Sequence, residues 1–72
     1  MTLADIKKGD RFNITNIEND TIRAQALRFG ISEGENLYCG EKIPGGPVIV
    51  KRNYQEIAIG RNLAKNIEIE LR

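Results

Sequence analysis

Histidine and tryptophan are absent from this 72-residue chain, cysteine occurs once, and only two prolines and two phenylalanines are present. Without histidine, the side chain that most often titrates near neutral pH and most often ligates transition metals is missing. Ser-His-Asp and Cys-His nucleophilic arrangements are therefore excluded, and a lone thiolate cannot complete a closed zinc site. The single Cys39 excludes an intramolecular disulfide, the staple on which small secreted domains usually rely, which points to a reducing, cytoplasmic setting. Uninterrupted apolar runs reach three residues, as in Val48-Ile49-Val50 and Ile57-Ala58-Ile59, against about 20 for a membrane-spanning helix. No basic stretch followed by an apolar one opens the chain as a secretory signal would. Charge of one sign is also lacking: eleven Lys and Arg face ten Asp and Glu, a net charge of +1, too little for general affinity to a phosphate backbone.

Hydrophobic residues make up 40% of the chain and charged ones 29%, with eleven isoleucines, which suits one small folded domain over residues 1–72. The seven glycines fall into neither G-x-G-x-x-G nor G-x-x-x-x-G-K-[ST], so no nucleotide-binding loop is signalled. Gly45-Gly46 between Pro44 and Pro47 reads as a turn. Paired carboxylates such as Glu33 with Glu35 and Glu68 with Glu70 sit among charges of a solvated surface, and the reading is of a non-enzyme with no cofactor.

Thr2 with Asp5 three residues on suggests a capped helical turn that plugs Leu3 and Ile6 into the core. Period-two alternation from Arg11 predicts a strand with Phe12 and Ile14 inward, slipping at Asn16-Ile17 where a bulge is expected. Ile22, Ala26 and Phe29 lie at i, i+4 and i+7, with Leu27 widening the face, so a helix is expected over 21–29, closed by Gly30. Strands follow at Asn36 to Lys42, at Val48 to Val50 and at Glu56 to Gly60. A helical turn between Arg61 and Asn66 and a last strand, with Ile67, Ile69 and Leu71 on one face, complete the chain. The inward set is Phe12, Ile14, Leu37, Cys39, Val48, Val50, Ile57, Ile59, Ile67 and Ile69. Five short strands with one helix after the first and a helical turn before the last predict a mainly β fold, a small closed or nearly closed barrel.

In order and spacing these pieces resemble the FeoA family, small SH3-like barrel proteins of bacterial ferrous iron transport. The resemblance runs from Leu3-Ala4-Asp5-Ile6 and Lys7-Lys8-Gly9-Asp10 through the Ile14 to Ile17 strand, Arg23, Leu27, Phe29-Gly30-Ile31 and Glu33-Gly34-Glu35. It continues into Gly46-Pro47-Val48-Ile49-Val50, Ile57-Ala58-Ile59-Gly60 and Leu63-Ala64, ending at Ile67-Glu68-Ile69. Phe29 stands where the family more often has Leu, and Asn53-Tyr54-Gln55 follows no family pattern. The resemblance implies a cytoplasmic accessory that binds and modulates the ferrous iron permease FeoB from its cytoplasmic side, reaching the membrane only through that partner. The same barrel forms the C-terminal domain of iron- and manganese-dependent repressors, so a regulatory domain of that kind is the alternative, as is a module that binds a metal ion itself.

Five residues stand out as partner-binding candidates: Arg23, Tyr38, Lys51, Arg52 and Tyr54. Tyr38 and Tyr54 either cover part of the barrel or present an aromatic to a peptide. Lys51, Arg52 and Tyr54 form the best basic-aromatic cluster, readable also as a solvated turn. Arg23 either pairs with Glu18 or Asp20 or meets a partner. Cys39 reads as a buried, inert thiol. Glu33, Glu35 and Glu41 could offer oxygens to a divalent ion, but their spacing argues against one.

Overall fold

In the computed structural model, which describes all 72 residues, five antiparallel strands form one sheet. The strands are β1 (Arg11–Asn16), β2 (Asn36–Lys42), β3 (Val48–Arg52), β4 (Gln55–Ile59) and β5 (Glu68–Leu71), in spatial order β4-β3-β2-β1-β5. A 3₁₀ turn, Leu3–Asp5, precedes β1; helix α1 (Asp20–Arg28) follows it, and α2 (Arg61–Ala64) joins β4 to β5. No helix is long and apolar enough to cross a membrane.

Alternation sets which side of each strand is dry. Phe12, Ile14, Leu37, Cys39, Val48, Val50, Ile59 and Ile69 are all buried, and they join Leu3, Ile6, Ile17, Ala26, Ile31, Ala64 and Ile67 in one cluster with no polar member. Ile57 and Leu63 pack half-buried against it. Leu3 and Ile6 plug the core as the opening motif suggests, and the Asp5 carboxylate accepts from the Thr2 backbone N–H at 2.9 Å. That hydrogen bond chiefly holds the Asp5 carboxyl below its ordinary value of 3.8.

Two bulges bend the sheet around this cluster. One falls between Ile14 and Asn16, where β1 pairs with β5, a residue or two before the expected slip; the other falls between Cys39 and Glu41, where β2 pairs with β3. The sheet nonetheless stays open, because β4 and β5 do not pair. The outer edge of β5 is already occupied: Met1 O accepts from Ile69 N–H at 2.9 Å and Thr2 bridges Glu68.

Helix α1 departs from its expected face. Asn19 is the N-cap, its Oδ1 accepting from Thr21 and Ile22 N–H at 2.8 and 3.2 Å, which starts the helix one residue earlier, at Asp20. At the other end Gly30 adopts φ +78° and lets the chain double back. Gly30 N–H then donates to Leu27 O and Ile31 N–H to Ala26 O, the paired bonds of a Schellman cap, with Ala26 and Ile31 both buried. Ile31 therefore fills the place assigned to Phe29, and Leu27 and Phe29 remain 57% and 48% exposed. Leu71 shares the face of Ile69 as the alternation predicts, although at the end of its strand it stays 48% exposed.

Candidate functional site

The outer surface of the sheet carries the side chains that alternate with the core. Arg11 lies opposite Tyr38 across β1 and β2, and Tyr38 lies opposite Lys51 across β2 and β3. Directly opposed residues of an antiparallel pair project to the same side, so Lys51, Tyr38 and Arg11 form one row across three strands. Arg72 extends the row beyond β5, its backbone N–H donating to Arg11 O at 2.9 Å. Tyr38 is 39% exposed, while Lys51 is half-buried with its stem laid over the backbone of Gly40. A Cβ on Gly40 would stand 2.6 to 2.9 Å from Cε, Cδ and Cγ of Lys51, so this glycine makes room for the lysine.

This row borders a cleft of about 560 Å³ whose lining includes Arg11, Tyr38, Lys51, Arg52, Asn53 and Arg72 and no carboxylate side chain. A second depression, about 330 Å³, is wholly polar and lined by Thr2, Glu18, Asn19, Lys65, Asn66 and Glu68. It contains none of the candidates, and neither depression gathers three metal-ligating side chains.

The structure divides the five candidates. Tyr38, Lys51 and Arg52 border the basic cleft; Arg23 and Tyr54 lie outside it. Tyr54 is fully exposed at the tip of the β3–β4 turn, beside Asn53 with φ 54°, and so does not cover the barrel. Lys51, Arg52 and Tyr54 are consequently not one cluster. Lys51 lies over the outer sheet surface, whereas the Arg52 guanidinium reaches the α1–β2 connection. There it donates to Glu35 and to Gly30 O, while across the β3–β4 turn it donates to Gln55 Oε1 at 2.8 Å.

Arg23 has a comparable anchoring geometry. Its guanidinium donates to Asp20 Oδ1 at 2.6 Å and to Ile17 O, and lies 3.8 Å from Glu33, whose carboxylate also accepts from Ile17 N–H at 3.0 Å. Of the pairings open to Arg23 in the sequence, the one with Asp20 forms. Glu33, Glu35 and Glu41 do not converge: each answers a different cation, Arg23, Arg52 and Lys8 respectively. Cys39 is buried, and burial is the main cause that pushes its thiol above its ordinary value of 9.0. Arg11 and Arg72 are the cleft residues that sequence reasoning missed. They sit at opposite ends of the chain, and only the pairing of β1 with β5 reveals them as neighbours.

Among solved structures, the crystal structure of an iron uptake regulatory protein, FeoA, superposes with a TM-score of 0.88 at 25% identity, each chain covered in full. The FeoA protein of Chlorobium tepidum matches at 27% identity and TM-score 0.81 over 99% of this chain and 70% of its own. A metal-dependent transcriptional regulator, MtsR, matches at 16% identity and TM-score 0.85; all of this chain corresponds to 34% of the regulator, a likeness of fold. No match was found among curated protein sequences. The SH3-like arrangement of strands and helices is thus shared with FeoA proteins, and the family model for the FeoA domain matches residues 1–71. This chain belongs to the FeoA family of ferrous iron transport.

Proposed function

We propose that this chain is a cytoplasmic, non-enzymatic accessory of ferrous iron uptake that binds the FeoB permease from its cytoplasmic side and modulates it through protein contacts. The observation that carries the reading is the family match over residues 1–71. The core has no polar member, so the polar side chains of this chain lie at its surface. Tyr38 and Lys51 on the outer sheet surface, with fully exposed Tyr54 beside them in sequence, supply the contact side chains. Arg23 and Arg52 act by holding the connections that flank α1.

Co-purification tests the reading. Detergent-solubilised FeoB should retain the tagged chain through washing, and the Tyr38→Ala/Lys51→Glu double variant should be retained at least tenfold less. Equal recovery with and without the permease would refute it. The likeness of fold to MtsR favours one second reading, a regulatory module of a metal-dependent repressor, which predicts salt-sensitive association with DNA instead.

A further inference from the structure

The cleft on the outer sheet surface gathers positive charge that the chain does not neutralise. Arg11, Lys51 and Arg72 take part in none of the four ion pairs of the molecule. Glu56 is the cross-strand neighbour of Lys51 on its other side and Glu70 stands opposite Asn13, one row away, yet neither pairs with these cations. Like charges set side by side across a sheet oppose folding. An anionic ligand in the cleft would remove that repulsion, so its binding is favoured by more than the direct attraction.

We propose that this cleft takes an extended, carboxylate-bearing peptide segment, laid over Tyr38 with its acidic side chains reaching Arg11, Lys51 and Arg72. The inference deepens the docking reading above and rests on it for the identity of the partner. Strand spacing puts Arg72 about 4.8 Å and Lys51 about 9.6 Å from Arg11 along the row. Alternate residues of an extended chain recur about every 6.8 Å, a separation that long arginine and lysine stems bridge. Two carboxylates at i and i+2 can thus each meet a different cation.

A nucleic acid fits the same residues less well. Tyr38 is the only aromatic in the lining, so successive bases find no stacking platform, and the net charge of +1 gives little long-range attraction. A membrane surface fits less well again, because the site is concave and its exposed residues include no apolar side chain to insert.

The test is a titration of the isotope-labelled full chain with the synthetic peptide acetyl-Gly-Glu-Tyr-Glu-Val-Glu-Gly-amide, and with its counterpart in which every Glu is Gln. The expected result is saturable shifts of the Arg11, Asn36, Tyr38 and Lys51 amides, with at least tenfold weaker binding by the Gln peptide. Arg11→Glu and Lys51→Glu should each weaken the acidic peptide about tenfold while leaving the spectrum dispersed. Arg11 is exposed, so Arg11→Glu alone decides the matter should Lys51→Glu fail to fold. No saturable shift, shifts centred elsewhere, or equal binding of the two peptides would overturn the inference. So would tighter binding of a ten-residue thymidine oligonucleotide or of phosphatidylserine vesicles at the same amides. FeoB binding that survives both charge reversals sinks this inference and leaves the docking reading standing, whereas absence of FeoB binding by the unaltered chain sinks the docking reading itself.

Discussion

Arg52 shows how one side chain ties three segments together. Its guanidinium meets the carbonyl of Gly30, the residue at which the chain reverses after α1, the Glu35 carboxylate and Gln55 across the β3–β4 turn, with both members of the ion pair about a quarter exposed. Charge-assisted bonds of this kind outweigh an exposed pair, whose worth is near zero to 1 kcal/mol, though residual solvent still screens them. Arg52→Ala is expected to lower the stability by about 1–2 kcal/mol, read from the urea midpoint at unchanged slope. An unchanged midpoint would show that water replaces all three partners. Cys39 illustrates the opposite economy, a group that contributes by staying neutral. Because burial raises its folded-state pKa above the ordinary 9.0, its contribution is fully present below that pH and is lost as the pH climbs through the folded value. The urea midpoint should therefore fall above pH 9, and Cys39→Ala should remove that part of the fall; the same pH profile in the variant would contradict it.

At the scale of elements, α1 is held by its ends more than by its face. Ala26 is its only fully buried residue, so the Asn19 cap and the reversal at Gly30 do much of the positioning. Asn19→Ala, which removes the acceptor for two N–H groups, is expected to cost about 1 kcal/mol in thermal or urea unfolding. A loss below about 0.3 kcal/mol would mean that packing alone fixes the helix. The strands were legible in the sequence because each half-buried strand repeats one simple rule, and Phe12, Ile14, Leu37, Cys39, Val50 and Ile59 obey it. The exposure of Phe29, and of Leu71 on the face it shares with Ile69, has one cause. Periodicity says which way a side chain points, but only tertiary packing says whether another element lies over it. The open gap between β4 and β5 was equally hidden, since it depends on Met1 and Thr2 taking the edge of β5.

On the scale of the whole molecule, a net charge of +1 conceals an uneven distribution. Asp20, Glu33, Glu35 and Glu41 are drawn into ion pairs with Lys8, Arg23 and Arg52, while Arg11, Lys51 and Arg72 line one cleft on the outer surface of the sheet and form no ion pair. Tyr38, Lys51 and Arg52 could be picked out as candidates because they are neighbours along the chain or flank the Cys39 core position. Arg11 and Arg72 could not, being 61 positions apart in sequence and adjacent only through strand pairing. The family match establishes a link with ferrous iron transport, and the central claim is that this chain works there by docking on the permease. The most direct measurement is the change in its labelled amide spectrum on adding the purified cytoplasmic domain of FeoB. The account predicts saturable broadening confined to the outer sheet surface around Arg11, Tyr38 and Lys51 and to the adjoining β3–β4 turn at Tyr54. A spectrum left unchanged at saturating concentrations of that domain would contradict it.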